Sequence, residues 1–173
     1  MSECDFIDQE LRAKAEKTAE AVMKKLNQFS LTLSLAESCT AGLVSGLLTN
    51  TSGASANFWG SFVCYMLESK VIMLGLDNKE LLAHGVVSRQ TACSMAISAL
   101  QKSGANITSA VTGFAGPDGD SNARGGTIWT ATVKQNGEIH AKEFHFTGSR
   151  NMVRMQAAIA VLEEILKVIP YTK

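Results

Sequence analysis

Apolar positions recur along this chain at two different spacings, and each change of spacing marks a change of element. Leu11, Ala15, Ala19, Val22, Leu26 and Phe29 return every three or four residues, the stripe of an amphipathic helix whose charges lie off it. At Leu31, Leu33 and Leu35 the step becomes two, with Thr32 and Ser34 between, which predicts a buried strand. From Thr40 the helical step returns through Ala41, Leu43, Val44, Leu47 and Leu48, so Ser38 is predicted at a strand-to-helix corner. Phe58, Trp59, Phe62, Val63 and Tyr65 predict a strand ending near Met66. Two short helices follow, 68–74 closed by Gly75 and one opening at Asp77-Asn78 and closed by Gly85; a longer one is capped by Ser88 and stopped by Gly104.

Residues 107–111 predict a second buried strand, which runs into Thr112-Gly-Phe-Ala-Gly-Pro-Asp-Gly119. The loop continues to Gly126, and loops of that length are commonly binding loops. Segments 127–133 and 138–146 flank Gln135-Asn136-Gly137 and predict an antiparallel hairpin, because Asn-Gly favours the tight turn that joins one. A helix over 149–169 carries Met155, Ala158, Ile159, Leu162, Ile165, Leu166 and Ile169 on one face. This order predicts an α/β fold, a three-layer α/β/α sandwich with a mixed sheet, as a single domain over 1–173.

Composition narrows the function more than the fold. A chain of 173 residues, 46% hydrophobic and 18% charged, holds one sizeable core. Sixteen basic against sixteen acidic residues exclude a broad nucleic-acid footprint or a polybasic membrane patch, and a small neutral or singly anionic ligand fits better. Cys4, Cys39, Cys64 and Cys93 lack the spacing of a zinc site or a disulfide framework, which points to a reducing cytoplasm. The opening Ser2-Glu-Cys-Asp5 is wrong for a signal peptide, and no apolar run is long enough to span a bilayer.

The chemistry centres on Ser38. A hydroxyl at such a corner is lifted off the sheet end, and the first amides of the next helix are expected to face the same space as oxyanion donors. Lys70 is the economical base: near a helix start and partly desolvated by Phe62, Met66 and Leu67, its ammonium is expected to lose its proton more readily. Tyr65 is placed to relay a proton or to hold the lysine. A plainer reading stands beside this one, in which Ser38 caps a helix, Lys70 is a solvated charge and Tyr65 is core. His84, His140 and His145 offer no triad, and no residues have metal-ligand spacing. The glycine-rich 112–119 turn suits a phosphate or carboxylate without being a P-loop. Arg150 and Arg154 share a helix face and either pair with a phosphate or are solvated charges.

Six motifs in order give the chain a resemblance: Ala36-Glu-Ser-Cys-Thr-Ala-Gly42, Tyr65-x-x-Glu68-x-Lys70, Leu74-Gly75, His84-Gly85-x-Val87-Ser88, Thr112-Gly-Phe-Ala-Gly-Pro117 and Gly126-Thr-Ile-Trp129. They resemble the CinA C-terminal domain family, which includes nicotinamide-nucleotide amidases. The resemblance implies an amidohydrolase that converts nicotinamide mononucleotide to nicotinate mononucleotide and ammonia, with no metal or cofactor. By the same resemblance Ser38 is the nucleophile, Lys70 its base and Tyr65 the assisting residue, with Thr40 lining the pocket. Thr112, Gly113, Gly116, Gly126, Thr127 and Arg150 would face the nucleotide part of the substrate. Family members are commonly homodimers, and the run at Phe58 and Trp59 would suit such a contact, unless both rings are core. The larger amino-terminal domain of full-length CinA proteins has no counterpart here, so no pyrophosphatase activity is expected. Where the family has Ser-Asn after the tyrosine this chain has Met66-Leu67, Ala41 stands at one position of a usual Gly-Gly pair, and Arg124-Gly125-Gly126 replaces Lys-Pro-Val-Gly. An alternative implication is a paralogue that binds the nucleotide as a regulatory module without turning it over.

Overall fold

The computed structural model describes residues 9–121 and 123–170, so Cys4 and the amino-terminal stretch read above lie outside the described residues. Five strands form one sheet in the order β2-β1-β3-β4-β5, built from β1 (Leu33–Glu37), β2 (Phe58–Val63), β3 (Ile107–Gly113), β4 (Thr127–Lys134) and β5 (Ile139–His145). The first three run parallel and the hairpin β4-β5 is antiparallel, so the sheet is mixed. On one face lie α1 (Gln9–Phe29), α2 (Leu43–Thr49) and α6 (Arg150–Val168), sharing a core with Leu33, Leu35, Ile107, Val111 and Ile128. On the other lie α5 (Arg89–Ser103) and the short helices α3 (Leu67–Leu74) and α4 (Asn78–His84). There Ala92, Ala96 and Ala99 of α5 meet Ala36, Ala110 and Ala131 of the sheet, small residues on both sides that let the helix sit close. The three-layer sandwich expected from the order of elements is the one observed, and among the described residues no helix is long and apolar enough to cross a membrane.

Two differences from the sequence expectation bear on the site. β1 begins at Leu33 rather than Leu31 and is buried at all five positions, so Ser34 and Ala36 face a second apolar layer rather than water. The helix expected from Thr40 starts only at Leu43. Ala41 (φ 50°) and Gly42 (φ 90°) take left-handed backbone, which no α-helix accommodates, and residues 38–42 therefore form a separate turn. β2 likewise ends at Val63, not near Met66, because the chain after Cys64 turns its carbonyls towards Lys70.

Parallel strands bring their carboxyl ends to one edge of a sheet, and in open α/β sheets ligands bind there. The ends of β2, β1 and β3 deliver Tyr65, Ser38 and Thr112 to that edge. Ser38 N–H donates to Val111 O (3.0 Å) and Cys64 N–H to Glu37 O (2.9 Å), so the three chain ends are stitched one residue beyond the strands.

Candidate active site

Ser38, Tyr65, Leu67, Lys70, Val86, Val87, Thr112, the 113–118 loop and Arg150 enclose a cavity of about 710 Å³, in the size range of small-ligand pockets. Lys70 is 1% exposed. Its Nζ lies 3.0 Å from Ser38 Oγ and donates to the carbonyl oxygens of Cys64 (2.9 Å) and Tyr65 (3.1 Å). Burial pushes its pKa below the ordinary lysine range. A neutral amine has two protons and one lone pair. With the two protons committed to backbone carbonyls, the lone pair is left for the serine hydroxyl.

Of the two roles expected for Tyr65, relaying a proton or holding the lysine, the structure has the second, and through the backbone. Its backbone carbonyl holds Lys70, while its ring is 53% exposed at the cavity mouth and its hydroxyl accepts from Arg150 Nη2 at 2.7 Å. The phenol is therefore partnered with Arg150 and does not bridge serine and lysine. Cys39, beside Ser38, is buried and its thiol is pushed up to about 12, chiefly by desolvation, which leaves it protonated and inert.

The amides of α2 are also not where they were expected. Glu37, the last residue of β1 and 1% exposed, turns its carboxylate under the turn. Its Oε2 accepts from Thr40 Oγ1 (2.8 Å), Gly42 N (3.0 Å) and Val44 N (3.2 Å). Its Oε1 accepts from Ser45 N (3.0 Å), Ser45 Oγ (2.5 Å) and Ser61 Oγ (3.4 Å). Leu43 N–H donates to Thr40 O, so the start of α2 is spent within the protein and supplies no oxyanion donor. Among the described residues the backbone amides of Cys39, Thr40, Ala115 and Gly116 have no protein acceptor, and Cys39, Ala115 and Gly116 line the cavity.

Of the residues expected to contact substrate, Thr112, Gly113, Gly116 and Arg150 lie in the wall and Thr40, Gly126 and Thr127 do not. Thr40 is fully buried on Glu37. Gly126, at φ 82°, passes so near Phe146 that an added Cβ would lie 2.0 Å from its carbonyl oxygen, and Thr127 Oγ1 faces His145 Nδ1 at 3.3 Å. Both hold the root of the loop. Arg154, expected on a phosphate or in water, donates from Nε to Cys39 O (3.2 Å) and from Nη2 to Thr40 O (2.8 Å). Leu67 reaches the wall, whereas Met66 is 63% exposed outside it. Val86 and Val87 carried no expected site role, although Val87 stands in one of the six motifs; Thr112 Oγ1 donates to Val86 O (2.7 Å) and pulls that segment against the β3 end. Glu37 had a signal that went unused, a lone carboxylate at the end of an apolar strand just before a helix start.

The family model for the CinA C-terminal domain matches residues 15–169. The chain belongs to the CinA C-terminal domain family. Nicotinamide-nucleotide amidohydrolase PncC of Escherichia coli strain K12 is 36% identical over 159 residues, which are 91% of this chain and 94% of that protein. A putative competence-damage inducible protein of Lacticaseibacillus casei is 39% identical over 141 residues, and there the chain spans only 34% of the relative's length. A crystal structure of competence/damage inducible protein CihA from Agrobacterium tumefaciens superposes with a TM-score of 0.86 at 36% identity, covering 89% of this chain and 94% of that one. The fold is thus shared with that crystal structure, and the serine-lysine pair sits at the strand edge this fold provides.

Proposed function

We propose that this protein is an amidohydrolase acting on the carboxamide of nicotinamide mononucleotide, a reading supported by the Escherichia coli relative named a nicotinamide-nucleotide amidohydrolase. The observation that carries the reading is the 3.0 Å approach of Lys70 Nζ to Ser38 Oγ inside a buried, two-carbonyl socket. Ser38 Oγ attacks the carboxamide carbon while its proton passes to the Lys70 lone pair. The tetrahedral oxyanion is received by the free amides of the 38–42 turn or the 115–116 segment. As the C–N bond breaks, Lys70 returns the proton to the departing ammonia. Water, deprotonated by the same amine, then cleaves the acyl-serine to give nicotinate mononucleotide and restore Ser38. Arg150, with Gly116 beside it, is placed for the substrate phosphate, and Tyr65 holds the guanidinium there.

The measurement is ammonia and nicotinate mononucleotide formation from nicotinamide mononucleotide, with Ser38→Ala beside the parent protein. A loss of about a thousandfold or more is expected, and equal rates would sink the amidase reading. Leu67 in the cavity wall supports a second reading, a module that binds the nucleotide without turning it over. Calorimetric binding with no product would favour that reading.

The same proposal extends to surroundings and assembly. The free thiols Cys39, Cys64 and Cys93 suit a reducing cytoplasm. β2 is an edge strand without lysine, glutamate or proline, and Trp59, stacked on Phe62 with centroids 5.5 Å apart, is 53% exposed, while Phe58 packs on the core. Such an unprotected edge suits pairing with a second copy, which light scattering of the purified protein would read as a dimer mass.

A further inference from the structure

The 38–42 turn carries the proposed nucleophile yet belongs to neither strand nor helix. Its own backbone bonds are few: Ser38 N to Val111 O, Ala41 N to Ser38 O and Leu43 N to Thr40 O. Two ionic side chains hold it from outside. From the β1 end, the Glu37 carboxylate takes donors of the turn and of the helix start, with Thr40 Oγ1 and Gly42 N on one oxygen and Ser45 on the other. From α6, the Arg154 guanidinium takes acceptors of the same turn, the carbonyls of Cys39 and Thr40. The chain is thus gripped by its N–H and O–H groups on one side and by its C=O groups on the other, at positions 39, 40 and 42, while the backbone bond to Val111 holds position 38.

We infer that Glu37 and Arg154 act together as positioning residues that fix the height and direction of Ser38 Oγ over the Lys70 lone pair. The inference rests on reading Ser38 as the nucleophile. Hydrogen bonds to carboxylates and guanidinium groups are the stronger kind, and every polar contact of the Glu37 carboxyl group here accepts while both Arg154 contacts donate. The clamp also explains why the α2 amides are withdrawn from catalysis: Glu37 spends them to pin the far end of the turn. Neither residue touches the cavity that would hold substrate. Both act through backbone that bears the nucleophile, and a misplacement of about 1 Å in such a group costs on the order of a hundredfold in rate.

Glu37→Gln keeps shape but turns an NH₂ group towards donors, and Arg154→Met keeps length but loses both carbonyl contacts. Each is expected to lower kcat about 10- to 100-fold with KM within about threefold, assayed well below its melting temperature. Arg154→Lys, which retains one carbonyl contact, is expected to recover part of the loss. The double variant should lose less than the product of the single losses, because both residues act on one turn.

A second readout needs no substrate: the rate at which a serine-directed sulfonyl fluoride adds to Ser38, followed by intact mass with Ser38→Ala as blank. The parent should label, and both single variants should label at least about tenfold more slowly. Labelling at the parent rate in either folded variant overturns the clamp, and so does a parent that does not label. If Glu37→Gln fails to fold, Arg154→Met carries the test. A parent that labels but releases no ammonia removes the amidase reading and leaves the clamp standing.

Discussion

The end of β1 and the end of β3 lie side by side at one edge of the sheet, and they are built on opposite principles. After β1 the turn at Ser38 is bound on every side by ionic or buried groups, Glu37, Arg154 and Lys70, and its hydroxyl has one place to be. After β3 the loop opens on Gly113, Ala115 and Gly116, and the last two leave their amides to the cavity. The first end is tied down by side chains from three elements, which suits the proposed chemistry on a fixed atom. The second sets bare or nearly bare backbone at 113, 115 and 116, around Phe114 and before Pro117, which suits the close approach of a ligand. The difference teaches that a reactive group and a recognition surface, though neighbours, ask the chain for different residues.

The comparison is broken most severely at Lys70. Lys70→Met removes the proposed base, and kcat should fall about 10²- to 10⁴-fold in the ammonia assay. The parent should gain kcat/KM with rising pH as Lys70 loses its proton, with a midpoint below the ordinary lysine range, and the variant should show no such limb. Stability follows the same sign. Between the folded pKa and the higher unfolded one, the unfolded chain binds the extra proton, so unfolding free energy rises with pH across that interval. Urea denaturation at several pH values should show the slope in the parent and not in Lys70→Met.

On the other side of the comparison, Gly113→Ala tests whether the β3 end needs bare backbone. An added Cβ would lie 2.3 Å from Ile128 Cδ1 and 2.7 Å from Thr127 O, so β4 has to move. A loss of about 1–3 kcal/mol of stability is expected in denaturant titration, with a raised KM as the loop root shifts. Arg150→Ala, which removes the cation at the mouth and leaves the serine-lysine pair alone, should raise KM about tenfold and leave kcat within about threefold. Steady-state kinetics separate the two.

The smallest effect belongs to a charged cluster that serves neither end. Glu138 at the hairpin, held down to about 2 first by the Lys134 hydrogen bond and then by His140, is exposed. Glu138→Gln should move the melting temperature by about 1 °C or less and leave kcat unchanged, since exposed ion pairs contribute little. A larger change would mean that ionic contacts far from the site matter as much as the buried ones beneath Ser38.

Much of this molecule is local, and local features are written in residue order. The helical stripe from Leu11 to Phe29, the Asn136-Gly137 hairpin, the caps at Asp77, Ser88 and Ser149 and the corner at Ser38 each follow from a few neighbouring residues, and the structure has them all. The six motifs placed Ser38 and Lys70 in one family, and the match to the CinA C-terminal domain agrees. What tertiary structure decided is what each polar group spends its bonds on. Sequence periodicity ran the helix back to Thr40 because Ala41 and Leu43 fit its step, but a carboxylate from the preceding strand pulled the first turn open. Tyr65 fell near the right atoms by its number, yet its carbonyl and not its phenol meets the lysine, because β2 ends early and the ring swings out to Arg150. Arg154 and Arg150 are one helical turn apart and alike in sequence, and only the packing of α6 across the sheet edge gives one to the Ser38 turn and the other to the cavity. Partners separated by 32 or 114 positions meet through strand order and helix packing, and no spacing along a chain encodes which of several available acceptors a buried donor will find.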